Sequence, residues 1–209
     1  GGRPLLAHVI DTARLLNAGK ICVVYGHGGE AVKAAFPAPD LNWVKQEPQL
    51  GTGHAVKQAL PILNPRVETL VLFGDVPAIQ PETLNRLISA ARGGLAVLTV
   101  RVDQPTGYGR IVREGSRIVR IVEERDATPE QRSITEINTG ILVAPTESLA
   151  RWIGNLANDN AQNEYYLTDI IGMAVAEGVQ VQSSQADEAW EVQGINSRQQ
   201  LAELEGARR

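Results

Sequence analysis

Cysteine, aromatic rings, long apolar runs and net positive charge are all scarce in this 209-residue chain. No apolar stretch approaches the roughly 20 residues that a membrane-spanning helix needs, so no membrane partner is expected. A net charge of −4 leaves no broad basic face, and nucleic acid is not expected as a partner. The single cysteine, Cys22, excludes an internal disulfide, and within Ile21-Cys22-Val23-Val24-Tyr25 it reads as a small core residue. None of the three histidines stands with another His or Cys at metal-ligand spacing. No secretory leader is visible, although Gly1-Gly2-Arg3 and the helix-like residues after it read as the middle of a domain. These absences together suit a cytoplasmic protein.

With 4% aromatic residues, the core has to rest on Val, Ile, Leu and Ala. That usage suits a buried parallel sheet covered by helices on both faces, and the length is enough for one sizeable core. Pro4 to Leu16 has apolar residues at helical spacing, with proline in the first turn and Gly19 as a stop. Strands are expected at Ile21–Tyr25, Leu41–Gln46, Thr69–Phe73 (the cleanest buried strand) and Leu95–Val102. Helices are expected at Gly29–Phe36, from Thr52 as a cap to about Leu60, and at Glu82–Ala91. This alternation is the pattern of an α/β fold. After Asp103 it changes. Tyr108–Arg113 and Arg117–Glu123 read as a hairpin around Glu114-Gly115-Ser116, followed by a strand at Ile137–Ala144. Helices at Ser148–Ile153 and Leu167–Glu177, a strand at Val179–Ser183 and a polar helix from Ser197 to Arg209 complete one domain with a β-rich insertion.

Several segments carry chemistry-bearing residues, each with a plain alternative. Phe73-Gly74-Asp75-Val76-Pro77 ends an apolar strand where ligands of open α/β sheets bind. A carboxylate there suits Mg²⁺, and it equally suits a turn aspartate bonded to backbone N–H groups. Gln46 to Ala55 follows a strand and opens a helix around Gly51-Thr52-Gly53. Its amides and Gln46 can recognise a flat heterocycle, or the turn is simply capped, with His54 a surface or packing residue. Tyr25-Gly26-His27-Gly28-Gly29-Glu30 lacks the G-x-G-x-x-G spacing, which disfavours a nicotinamide-dependent dehydrogenase. Gly109, Glu123 and Asn138 offer bare backbone, carboxylate and amide, groups that bind sugar hydroxyls and also occur in turns and strand ends. Asn160 to Asp169 lines a pocket or forms a rigid helix entry, and Asn196 is either an N-cap or a metal oxygen donor.

In order and spacing, these segments resemble the bacterial N-acetylglucosamine-1-phosphate uridyltransferases. The matching stretches are Tyr25–Gly29, Gln49–Ala55, Gly74–Pro77, Pro105–Ile111, Glu136–Gly140, Glu164–Asp169 and Gly194–Arg198, and the likeness runs along the whole chain. The resemblance implies a Rossmann-like nucleotidyltransferase fold with a mostly parallel sheet and a β-rich sugar-binding insertion. It implies uridylyl transfer from UTP to N-acetylglucosamine 1-phosphate, giving UDP-N-acetylglucosamine and pyrophosphate for cell-wall precursors. By the same resemblance Gln46, Gly51 and Thr52 hold uracil, Phe73 and Gly74 line the nucleotide site, and Asp75 with Asn196 binds Mg²⁺. Gly109, Glu123 and Asn138 bind the amino sugar, and Asn196 is expected to bind substrate as well as metal. Phe73 stands where the family commonly has tyrosine. The family's L-A-A-G-x-G-T-R-M loop and P-K motif are not in this sequence, and Lys20, Lys33, Lys45 and Lys57 do not match them. The chain alone is therefore expected to turn over little. Family members continue, beyond a helix matching 197–209, into a β-helix acetyltransferase that assembles as a trimer. Two alternatives are a related transferase for another nucleotide or sugar, and a sugar-nucleotide-binding module without turnover.

Overall fold

The computed structural model describes residues 3–207. Gly1, Gly2, Arg208 and Arg209, which the sequence reading placed at the two ends of the domain, lie outside the described residues. The elements in chain order are α1 (Leu5–Leu15), β1 (Ile21–Tyr25), α2 (Gly29–Ala35), β2 (Leu41–Lys45), α3 (Thr52–Ala59), β3 (Glu68–Val71), α4 (Pro81–Ala91) and β4 (Ala96–Arg101). They continue with β5 (Arg110–Glu114), β6 (Arg117–Val122), α5 (Pro129–Arg132), β7 (Glu136–Pro145), α6 (Thr146–Gly154), α7 (Ile170–Ala176), β8 (Gln182–Gln185) and α8 (Arg198–Ala207). α1 stops before the expected Gly19, because Asn17 already turns left-handed at φ 55°. Asparagine tolerates that conformation better than most side chains.

β1 and β2 pair in parallel, with Ile21 opposite Leu41. The other six strands form one sheet around β7. β3 and β4 both run antiparallel to β7, and β8 joins β4 in parallel. The β5–β6 hairpin attaches to the start of β7 through Arg110 and Ile137. The expected α/β class and the β-rich insertion are present. The expected parallel order holds for the direction of β3, β4 and β8 but not for their pairing, since β7 lies antiparallel between β3 and β4. The cause is the insertion itself: the chain leaves the end of β4, forms the hairpin there, and can only run back.

Side chains alternate along β4, and both faces are covered. Val97, with Leu95 just before the strand, packs with Leu149, Trp152, Ile170 and Ile171 from α6 and α7. Ala96, Leu98 and Val100 pack with Ile79 and with Leu84 and Leu87 of α4. A strand buried on both sides reads as a continuous apolar run. β4, not the segment Thr69–Phe73, is the most buried strand: Ala96 to Val100 are at most 3% exposed, while β3 and β1 are mostly half-buried. β4 has strands on both edges, whereas β3 pairs along one edge only among the described residues. Each fully buried leucine stabilises the fold by about 2 kcal/mol. A smaller cluster of Ala78, Ile195 and Leu204 docks α8 near Leu5 of α1. No helix among the described residues is long and apolar enough to cross a membrane.

Candidate active site

The first group forms where β2 hands over to α3. Gln46 extends the β1–β2 pairing by donating its N–H to the Tyr25 carbonyl at 2.8 Å. The turn that follows is clasped by residues 165–167. Tyr165 N–H reaches the Leu50 carbonyl at 2.9 Å, and Gly53 N–H reaches the Tyr165 carbonyl at 2.8 Å. Gly51 sits at φ +102°, and a Cβ there would lie 2.9 Å from the Tyr165 oxygen. The close approach of that backbone is what demands glycine. Thr52 does not cap α3 as expected. Gly51 occupies the N-cap position, and the Thr52 hydroxyl instead accepts the Leu167 N–H at 3.1 Å. The demand of a neighbouring segment for an acceptor outweighs a local cap that water can replace. Gln46 is 8% exposed, and its Nε2 donates to the Gly51 carbonyl at 3.0 Å.

The second group follows β3. The Phe73 ring lies on Gly140 of β7, where φ is +85° and a Cβ would come within 2.6 Å of the ring. Gly74 is exposed and Asp75 half-buried. The Asp75 carbonyl accepts the Ile195 N–H at 2.8 Å. Its carboxylate lies against Gly194, 3.3 Å from where a Cβ would stand. Asn196 is the next residue along. Ser197, not Asn196, caps α8, with its hydroxyl accepting the Gln200 N–H at 3.1 Å. The Asn196 N–H is taken by the Gln200 side chain at 2.7 Å, and the Asn196 side chain is left exposed. α4 steadies this corner: Thr83 donates to the buried Glu191 at 2.6 Å, and Arg86 pairs with Asp187 at 2.8 Å.

The third group lies in the insertion. Gly109 faces Glu123, whose carboxylate oxygens are 3.2 and 3.3 Å from the position of a Gly109 Cβ. Asn138 N–H bonds to the Gly109 carbonyl at 2.8 Å. Thr168 donates its hydroxyl to Glu123 at 3.0 Å. Burial pushes the Glu123 carboxyl above its usual range; Thr168 pulls it back, and Asp169 and Asp126 raise it again. Asp169 is raised as well, by burial and then by Asp126. The buried Arg110 holds the loop by donating to the Tyr108 carbonyl and to Glu124 at 2.6 Å.

These three groups adjoin one another. Phe73 touches the strand that carries Asn138, and residues 165–168 connect Thr52 to Glu123. The segments bearing Gln46, Gly51, Thr52, Phe73, Gly74, Asp75, Gly109, Glu123, Asn138 and Asn196 are thus linked by contact. Sequence reasoning passed over Thr168, Tyr165 and His54 as working parts. Only the polar and aromatic mix of Asn160–Asp169 hinted at the first two. The turn at Gly26–Gly28 is a strand-to-helix turn as expected, with Gly28 as the N-cap of α2.

Among the described residues no group of three or more His, Cys, Asp or Glu could hold a metal ion. A hard cation that keeps waters and substrate phosphates in its shell needs less. Asp75, with no side-chain hydrogen bond to the described residues, and the neighbouring Asn196 amide offer oxygen donors of that kind. Donors of this kind suit a divalent cation.

Residues 1–159 match the model of the MobA-like NTP transferase domain. The chain is 58% identical over 205 residues to the "Bifunctional protein GlmU" of Herminiimonas arsenicoxydans, covering 98% of this chain and 45% of that protein. It is 60% identical over 206 residues to the protein of the same name from Azoarcus sp. strain BH72, covering 98% and 46%. The chain therefore spans a little under half the length of these relatives. Among solved structures, a UDP-glucose pyrophosphorylase complexed with UDP-glucose superimposes with a TM-score of 0.77 at 16% identity, over 99% of this chain and 86% of that one. A putative glucose-1-phosphate thymidylyltransferase from Bacillus anthracis gives 0.71 at 17% identity, over 99% and 83%. At those identities the likeness concerns the fold alone.

Proposed function

Since the chain belongs to the MobA-like NTP transferase domain family, we propose that it transfers a uridylyl group from UTP to N-acetylglucosamine 1-phosphate, forming UDP-N-acetylglucosamine and pyrophosphate. The observation that carries the reading is the hydrogen bond from Ile195 to Asp75, which joins a residue of mid-chain to the segment of Asn196. The relatives at 58–60% identity agree with it. Nucleotidyltransferases of this kind work with a divalent metal, and Mg²⁺ is assigned here to Asp75 and Asn196. When bound, it supplies positive charge between two polyanions.

In this reading Gln46, Gly51 and Thr52 hold the uracil, and Phe73 and Gly74 line the nucleotide. Gly109, Glu123 and Asn138 hold the amino sugar. A phosphate oxygen of the sugar phosphate forms a bond to the α-phosphorus of UTP as the bond to the departing pyrophosphate breaks. The nucleophile is already an anion, so no general base is required. The contribution of these residues is alignment, which removes the entropic cost of bringing two substrates together. The chain is taken as one nucleotidyltransferase domain of a cytoplasmic protein. The relatives are named bifunctional, and in this reading an acetyltransferase and the trimeric assembly belong to the part of them that the chain does not span.

Asp75→Ala in the intact protein is expected to lower turnover by several orders of magnitude while leaving the melting temperature nearly unchanged, because a half-buried carboxylate with no side-chain hydrogen bond among the described residues adds little to stability. Pyrophosphate release and thermal unfolding, measured side by side, check it. Near-normal turnover with Mg²⁺ would remove the metal assignment.

A further inference from the structure

The Gln46 amide can face only one way. The Gly51 carbonyl only accepts, so the atom 3.0 Å from it must be Nε2 rather than Oε1. The second hydrogen of that Nε2 meets His54 Nδ1 at 3.0 Å. With the Gln46 nitrogen donating, Nδ1 carries the lone pair and the proton belongs on Nε2. The ring's other nitrogen meets the Gln58 amide at 3.2 Å, and the His54 carbonyl 3.1 Å away would likewise claim the Gln58 nitrogen. A neutral ring accepts at one nitrogen only, so one glutamine must present its oxygen, and we take Gln58 to be that one. Tyr165 flanks the ring, with centroids 6.4 Å apart. Both hydrogens of the Gln46 amide are thus used within the protein. Its Oε1 takes no hydrogen bond from the described residues, and it is not among the fully sequestered atoms that lack a partner.

An acceptor held at a nucleobase loop discriminates by the hydrogen at position 3 of a pyrimidine. Uracil presents N3–H there, and cytosine presents a lone pair. A site built around one polarity rejects the other strongly, because a wrong base leaves two acceptors facing each other. We propose that His54 is a positioning residue that sets nucleobase preference, by holding the Gln46 amide so that its oxygen meets the base. The proposal rests on the reading that Gln46 holds the nucleobase.

The test compares kcat/KM for UTP and CTP in the intact protein, His54→Leu and His54→Asn. Asparagine keeps an acceptor near the place of Nδ1, and leucine does not. His54→Leu is expected to lower the UTP-to-CTP preference roughly tenfold, the worth of one orienting hydrogen bond. The loss should fall on the nucleotide KM, with the KM for the sugar phosphate unchanged, and His54→Asn should restore it. Unchanged preference in both variants overturns the proposal. So does an equal loss in both that affects every kinetic constant, since that marks a structural role. If the unsubstituted protein does not prefer UTP to CTP, the nucleotide-site reading fails instead. ¹⁵N NMR of the unsubstituted protein gives an independent check that does not depend on any variant folding. The Nε2–H tautomer of His54 is expected, and the Nδ1–H tautomer would contradict the proposal.

Discussion

Glu123 sits where burial disfavours its charge, and the Thr168 hydroxyl is the one neighbour that favours it. An acid whose folded pKa is raised binds its proton more tightly in the native state. Stability then falls as pH rises from the ordinary carboxylate value to the raised one, and the deficit is complete above it. Glu123→Gln is therefore expected to stabilise the protein at neutral pH, with the gain disappearing in mild acid. The same change removes the charged acceptor for a sugar hydroxyl, so the sugar-phosphate KM should rise about tenfold or more. Melting curves at two pH values and KM measurements check both halves. A stabilised variant with unchanged KM would separate Glu123 from the sugar. The residue type was readable from the sequence, but its environment was not. Asp126 and Asp169, which raise it, are separated by 43 positions yet act on one carboxyl.

At the scale of elements, the turn between β2 and α3 shows how much a loop owes to a distant segment. Gly51→Ala places a Cβ 2.9 Å from a backbone oxygen at a positive φ, and neither the clash nor the strain can relax through a side chain. A loss of about 2–3 kcal/mol is expected, together with weakened UTP binding. Denaturant unfolding and calorimetry with UTP measure the two effects. Strongly periodic elements such as α4, with Thr83, Leu84, Leu87 and Ala91 buried on one stripe, were legible from spacing alone. α5 was not. It is four residues long and rests on the Thr128–Gln131 capping box rather than on an apolar face. The last strand lies at Gln182–Gln185, a few positions beyond the apolar run at Val179–Val181. Those valines pack toward α6 and α7, and pairing with β4, not hydrophobicity, defines the strand.

Across the whole molecule, Arg113 and Glu136 pin the insertion to the core sheet by two bonds of 2.8 Å. Glu136 is 5% exposed; burial alone would raise its pKa, but Arg113 holds the carboxyl below its usual range, with a smaller contribution from Arg101. A lowered acid adds stability that is present above the ordinary carboxylate value and is lost as pH falls through the lowered one. Arg113→Met strands a buried charge and is expected to cost about 3 kcal/mol near neutral pH. The deficit should shrink in acid, where Glu136 takes up a proton. Unfolding measured at both pH values checks the sign, and a deficit that grows in acid would refute it.

The linear chain already determined the α/β class, the hairpin insertion and the motif set, because those depend on local periodicity, turn chemistry and short spacings. What it could not decide was which side of β4 receives β7, or that Thr52 serves Leu167 and His54 serves Gln46. Nor could it show that Asp75 meets the chain again at Ile195. Those outcomes come from segments 35 to 120 residues apart meeting through hydrogen bonds, or from side chains turned by a neighbouring backbone. Only the folded chain brings such groups within reach of one another.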